Sequence, residues 1–348
     1  MYKATLPQDK VFWYLNLDTI QPLRESLDID VVVIGGGMAG LSAAQQFHEK
    51  GFSVALLEKN FCGAGASGKS SGFITPDSEL SLSNLTDLYG INDAHKLWKF
   101  VLMGVHLIEQ NIKNFSLDCD YQQENTLVVA NSKKEFSFRI QREHEMRIKL
   151  GYTSTLYPQE KLSSVLGSSA YYGGVYYPNS FGISAYKYCQ GMKHVLIKKG
   201  VKIYEETPVI KIYPDGVDTI YNSVKAKKVI VCVDRFLPDL GIASYEIYHA
   251  QTFLLMSAPL SDTQVRQLFP ERNLMVWDTD LIYSYYRLTG DNRLLLGGSS
   301  LLYTYASQES HHNLHVIKKL TNYFIQFLIN QLELLKICNP FMPAINIL

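Results

Sequence analysis

Asp30-Val-Val-Val-Ile34-Gly35-Gly36-Gly37-Met38-Ala39-Gly40 is a short apolar run that ends in glycines, and its reading decides the fold. A continuous apolar segment bounded by a turn signal predicts a buried parallel strand over 29–34. Leu41, Ala44 and Phe47 then recur at helical spacing, so 40–50 reads as a helix that Gly51 stops before a second strand over 53–57. Together they make a βαβ unit of about the usual thirty residues. The glycines form a GxGxxG after a strand and at the opening of a helix. In that context Gly35 allows the tight turn, Gly37 lets a pyrophosphate approach the backbone, and Gly40 lets helix and strand pack closely. The helix amino terminus then stabilises phosphate charge. Glu58 stands 18 residues past Gly40 at the end of the second strand, placed to accept hydrogen bonds from ribose hydroxyls. The bland alternative is a glycine-rich turn that binds nothing; the agreement of strand, helix, spacing and acid weighs against it.

A second motif competes within 61–72. Gly63-Ala-Gly-Ala-Ser-Gly68-Lys69-Ser70 matches GxxxxGK[ST], the P-loop, and the apolar run ending at Asp234 imitates the magnesium-holding strand of a P-loop NTPase. Gly72 and Pro76 would break a helix starting at Lys69-Ser70, and the strand before the loop already belongs to the dinucleotide unit. The P-loop NTPase therefore stays a minor alternative, beside an ordinary surface loop.

Further along, helices are expected over 93–114, 141–150 and 184–199, with strands over 125–130, 174–177, 201–205 and 228–233. Strands over 247–257, 282–288 and 293–298 suggest a second sheet, the last two joined as a hairpin, and 312–335 reads as a long helix. The 348 residues suit one large or two ordinary domains at about 150 residues each. Thirty-three basic and 33 acidic residues give no net charge, so there is no basic footprint for nucleic acid. The longest apolar runs fall far short of the roughly 20 residues of a membrane span. The opening Met1-Tyr-Lys-Ala-Thr lacks a basic patch followed by an apolar stretch, so the expectation is a cytoplasmic protein. Five scattered cysteines without a CxxC predict reduced thiols and no metal site, and His311, His312 and His315 read as a solvated helix start.

The GxGxxG, the acid at Glu58 and the nearby Gly-Ala-Ser-Gly68 together resemble the D-amino-acid oxidase superfamily of FAD-dependent oxidoreductases. The amine-oxidising branch, with glycine, sarcosine and gamma-glutamylputrescine oxidases, is the nearest in pattern. The likeness continues through Gly174-Val-Tyr-Tyr-Pro178, 200–209, 226–233 and Tyr286-Arg287 to Gly298, covering 28 to about 305. It implies an α/β fold: a Rossmann-like FAD-binding domain (27–80, 182–242 and 306–348) and a second, α+β substrate domain on a mostly antiparallel sheet (81–181 and 243–305). It also implies that Gly35, Gly37, Met38, Ala39 and Gly40 hold the FAD pyrophosphate and that Glu58, with Lys59 beside it, holds the adenosine ribose. Ser67 and Gly68 would line the phosphate or flavin side, Val209 would meet the adenine, and Cys232 and Val233 would run beside the pyrophosphate. The branch usually has Arg-Asn-Gly where this chain has Lys69-Ser70-Ser71, which bears on substrate identity more than on flavin binding.

Tyr283, Tyr285 and Arg287 share one face by strand alternation, a candidate substrate site in which the arginine would pair with a carboxylate between tyrosine walls. A half-exposed strand with a solvated arginine is the competing reading. The implied reaction oxidises the C–N bond of an amine or amino acid to an imine by hydride transfer to flavin, with O2 as the acceptor and no catalytic side chain assigned. The family pattern continues with a strand and a Gly-rich turn into a helix, whereas no glycine follows Gly298 here. The expectation is therefore a chain shortened at its C-terminus, with an inactive FAD-binding remnant as the alternative to an enzyme.

Overall fold

The computed structural model describes residues 11, 13–14, 18–77, 79–247, 249–281, 283–303 and 344–347. Leu27–Ile34 is the central strand of a six-stranded sheet ordered Lys202–Tyr204, Val54–Leu57, Leu27–Ile34, Ser223–Val231, Gly216–Thr219, Val209–Tyr213. The first four strands run parallel and the last two add an antiparallel meander. Alternation along the central strand feeds two cores. Val31 and Val33 pack with Leu56 and with Leu41 and Ala44 of the helix Met38–Glu49. Val32 and Ile34 pack on the other face with Leu57, Val217 and Val224. Burial on both faces is why the segment reads as an unbroken apolar run.

The second sheet has eight strands, ordered Ala344–Ile347, His249–Pro259, Arg293–Tyr303, Tyr285–Leu288, Leu274–Asp278, Asn125–Val129, Gly173–Tyr177, Thr155–Pro158. Every neighbouring pair is antiparallel except Leu274–Asp278 with Asn125–Val129. A two-stranded ribbon, Phe73–Ile74 with Phe181–Gly182, forms a separate small sheet. The segments 27–80 and 182–242 supply all strands of the first sheet, and 81–181 with 243–305 supply seven of the second. Within 306–348 the described strand Ala344–Ile347 lies at the edge of the second sheet, not in the nucleotide sheet.

The helix expected from residue 93 starts at Leu82, where Ser81 caps it by accepting from Asn84 N; it is interrupted at Gly90, whose φ is +77°. The strand expected from 228 starts at Ser223. The expected helix over 312–335, the histidines 311, 312 and 315, and Cys338 lie outside the described residues. Among the described residues the cysteines are free, no group of acidic, His or Cys side chains is placed to hold a metal, and no helix is long and apolar enough to cross a membrane.

Candidate functional site

The glycine turn between Ile34 and Met38 is shaped by contacts that leave no room for side chains. Gly35 has φ +104°, and a Cβ there would stand 2.3 Å from the Cys232 carbonyl oxygen. A Cβ on Gly40 would stand 1.9 Å from the Gly35 oxygen. Cys232 N donates to Ile34 O at 2.8 Å, so Cys232 and Val233 lie alongside the turn. At the start of the helix, Met38 N donates to Ser67 Oγ at 3.1 Å. The amides of Gly37, Ala39 and Gly40 meet no protein acceptor among the described residues. Unpaired first-turn N–H groups are what an anion binds at a helix amino terminus.

Glu58 closes the other side. It is 9% exposed, and its Oε2 accepts from Gly36 N at 2.7 Å while Oε1 accepts from Asn60 N at 2.9 Å. Burial raises its pKa above the ordinary carboxylate value, against the lowering effect of those two donors. Each oxygen keeps a lone pair for a further donor such as a ribose hydroxyl. Lys59 places its ammonium 3.1 Å from the centroid of the Phe236 ring. The segment before Val209 is zipped onto Glu58 and its neighbours: Thr207 N donates to Glu58 O and Glu206 N to Asn60 O, both at 2.8 Å. Val209, half-buried, thus begins its strand beside the acidic corner.

The second glycine segment joins this cradle. Gly63 N donates to Gly36 O at 2.9 Å, and a Cβ on Gly68 would stand 1.9 Å from Gly63 O. Ala66–Lys69 is a single helical turn, and Ser70 after it is extended, with ψ 161°. A P-loop needs its helix to begin at the Lys-Ser pair; here the helix ends there, which removes the NTPase reading. The two glycine segments, Glu58 and Cys232 are thus joined by direct contacts into one cradle, while Lys59 lies against Phe236. Its unpaired amides, its clash-limited glycines and a buried acid at the ribose position fit FAD.

Sequence reasoning missed what holds the cradle from behind. Lys193 and Glu205 are an ion pair at 3.2 Å with both side chains 0% exposed. Glu205 Oε1 accepts from Cys62 N at 2.7 Å and Oε2 from Ile20 N at 2.6 Å, while Lys193 Nζ also donates to the Asp18 carbonyl. The available signal was a lysine set within the buried stripe Tyr186, Cys189, Met192 and Leu196.

The three residues proposed for substrate do not behave alike. Tyr285 lies across Gly297, where a Cβ would be 2.1 Å from its Cζ, and meets Phe73 edge-on at 5.6 Å. Tyr283 is 36% exposed and stacks at a tilt with Tyr285 at 5.7 Å; Trp277 extends the wall, 6.1 Å from Phe73. Arg287 is different, being 2% exposed. Its Nε donates to Ser71 O at 2.8 Å, Nη1 to Leu288 O at 2.8 Å and Nη2 to Ile183 O at 2.7 Å. Nη1 also stands 3.6 Å from Glu124 Oε2, an ion pair longer than a hydrogen bond. Arg287 does share a face with Tyr285, but at its own position that face is covered by chain, and every guanidinium nitrogen already has a protein partner. The expectation that it receives a substrate carboxylate is corrected accordingly: it ties the second sheet to 71–72 and to 183.

Comparison with known proteins identifies the family to which the chain belongs. The family described as "DAO: FAD dependent oxidoreductase" matches residues 30–339, further along the chain than the motif likeness to about 305. The probable oxidoreductase OrdL of Haemophilus influenzae is 31% identical over 289 residues, 80% of this chain and 67% of that one. Gamma-glutamylputrescine oxidoreductase of Escherichia coli is 31% identical over 293 residues, 82% of this chain and 67% of that protein. The crystal structure of glycine oxidase from Geobacillus kaustophilus superposes with a TM-score of 0.67 at 18% identity, covering 92% of this chain and 83% of that one.

Proposed function

The chain belongs to the DAO family of FAD-dependent oxidoreductases, and from that premise we propose that it oxidises the C–N bond of an amine or amino acid, with O2 as the final electron acceptor. The observation that carries this reading is the aromatic wall of Tyr285, Tyr283, Phe73 and Trp277, borne by the second sheet and by the strand that follows the 63–72 loop. The names of two relatives, one for gamma-glutamylputrescine and one for glycine, support the substrate class.

When bound, FAD supplies the hydride acceptor for the C–N oxidation, and water then hydrolyses the resulting imine. The chain's own part is positioning. The unpaired amides of Gly37, Ala39 and Gly40 take the pyrophosphate, Glu58 takes the ribose, and Ser67 and Gly68 face the same cofactor. Tyr283 and Tyr285 give the substrate an apolar wall with hydroxyl tips. Burial holds both phenols above their ordinary pKa, Tyr283 at about 12, so they remain hydrogen-bond donors at neutral pH.

The test is the visible spectrum of the purified chain, reconstituted with FAD and then mixed without oxygen with a panel of amines and amino acids. A flavin spectrum that bleaches with an amine and returns with peroxide on admitting air is the expected result. Bound flavin that no amine bleaches would overturn the substrate class.

A further inference from the structure

Trp13 and Tyr14 precede the nucleotide fold in sequence and yet fasten onto its second glycine segment. The Trp13 indole N–H donates to the Gly68 carbonyl. The Tyr14 hydroxyl lies 3.1 Å from Gly63 O and 3.2 Å from Ala64 O, so its single proton is shared by two carbonyls. The phenol is fixed between Phe61, edge-on at 5.1 Å, and Tyr186 at 4.9 Å. The indole packs on the buried patch of Leu254, Met256 and Leu295, the same patch against which Tyr285 packs. One aromatic pair thus touches both ends of the 63–68 loop and the sheet that bears the aromatic wall.

The arrangement matters because carbonyl oxygens and phosphates repel each other. A loop that faces a dinucleotide with Ser67 and with glycine backbone must keep its own carbonyls engaged elsewhere. Of the three carbonyls that the pair engages, that of Gly68 adjoins Ser67 and those of Gly63 and Ala64 open the same loop, and Ser67 Oγ in turn accepts from Met38 N at the helix start. We propose that Trp13 and Tyr14 are positioning residues of the cofactor site, a clasp that turns the carbonyls of the 63–68 loop away from the FAD and sets Ser67 against the helix amino terminus. The proposal rests on the assignment of Ser67 and Gly68 to the FAD site.

The test compares FAD dissociation constants, from quenching of flavin fluorescence, for the full chain and its Tyr14→Phe and Trp13→Phe variants. Each substitution removes a donor and keeps an aromatic ring. Each is expected to weaken FAD binding on the order of fivefold, the effect of one hydrogen bond. Leu166→Val, in the core of the second sheet and away from the loop, serves as a control for general destabilisation. It is expected to lower the thermal midpoint while leaving the dissociation constant within about twofold, since it touches nothing at the site. Unchanged FAD affinity in both aromatic variants overturns the clasp, as does an equal loss of affinity in Leu166→Val. A parent chain that takes up no FAD at all overturns the cofactor site itself, and the clasp with it.

Discussion

Arg287 shows how far a residue can be understood from its neighbours in sequence. Strand alternation puts it on the face of Tyr285, and that much was legible. What lies opposite that face was not, because Ser71 and Ile183 come from segments more than a hundred positions away. A guanidinium with three carbonyl partners and a buried carboxylate nearby is a structural tie, and Glu124 shares its burial: desolvation pushes that carboxyl up to about 7 despite the cation. Arg287→Lys keeps the charge but loses the planar fork, leaving carbonyls of 71 and 183 without their donor. The expected outcome is a loss of about 2 kcal/mol in urea unfolding, with the KM for an amine substrate changed less than about twofold. A rise in KM with unfolding free energy unchanged would restore the arginine to the substrate site. The placement of Glu58 against the glycine turn, by contrast, was legible from spacing alone, since the acid and the glycines lie on one βαβ unit and the geometry between them is local.

Between elements, the informative feature is the turn from Leu274–Asp278 to Tyr285–Leu288, which carries Tyr283. Asp278 organises it: its side chain accepts from Asp280 N at 3.0 Å and from Ser284 N at 3.3 Å, and its own amide donates to Ser284 O at 3.1 Å. Burial pushes its pKa from 3.8 up to about 6. A raised carboxyl binds its proton more tightly in the folded chain than in the unfolded one, so folding stability falls as pH climbs from about 4 through 6 and levels off above. Asp77, also pushed up to about 6, acts in the same direction over the same range, and Glu124, pushed up to about 7, continues the fall to that pH. Asp278→Asn should therefore reduce that slope without abolishing it, by at most about 1.4 kcal/mol per pH unit. Unfolding free energies at pH 4.5, 5.5 and 6.5 decide it; an unaltered slope would show that Asp278 is ionised throughout. The strand Leu274–Asp278, and with it this turn, was not expected from the sequence, and neither was the meander over Val209–Tyr213 and Gly216–Thr219. Val209–Tyr213 is partly exposed at the sheet edge, and the two short strands, joined through Pro214 and Asp215, resemble a loop until the pairing of Gly216–Thr219 with Ser223–Val231 is known.

At the scale of the molecule, legibility follows sequence distance. The nucleotide sheet could be inferred because its nucleus is contiguous, whereas the second sheet joins Asn125 to Leu274, about 150 positions apart, by a parallel pairing that no local pattern specifies. The same holds for the tie between the stretch before the fold and the cradle, which runs through Lys193 and Glu205. Glu205 accepts main-chain hydrogen bonds from Cys62 and Ile20, and Lys193 completes the set through the Asp18 carbonyl. One fully buried pair thus fixes 18–20, the entrance to the 63–68 loop and the helix Ala185–Lys198 to one another. Removing only the cation leaves a buried carboxylate with two amide donors and no counter-charge, which typically costs about 3 to 5 kcal/mol. Lys193→Met should lose stability in that range and weaken FAD binding as well, because Cys62 leads directly into the cradle. Lys193→Met combined with Glu205→Gln should recover part of the loss, since a neutral amide costs less to bury and its carbonyl still accepts from one of the two amides. A double variant less stable than Lys193→Met would mean that the carboxylate is held by its backbone donors alone. A Lys193→Met variant that unfolds earlier yet binds FAD as the parent does would separate the tie from the cofactor site.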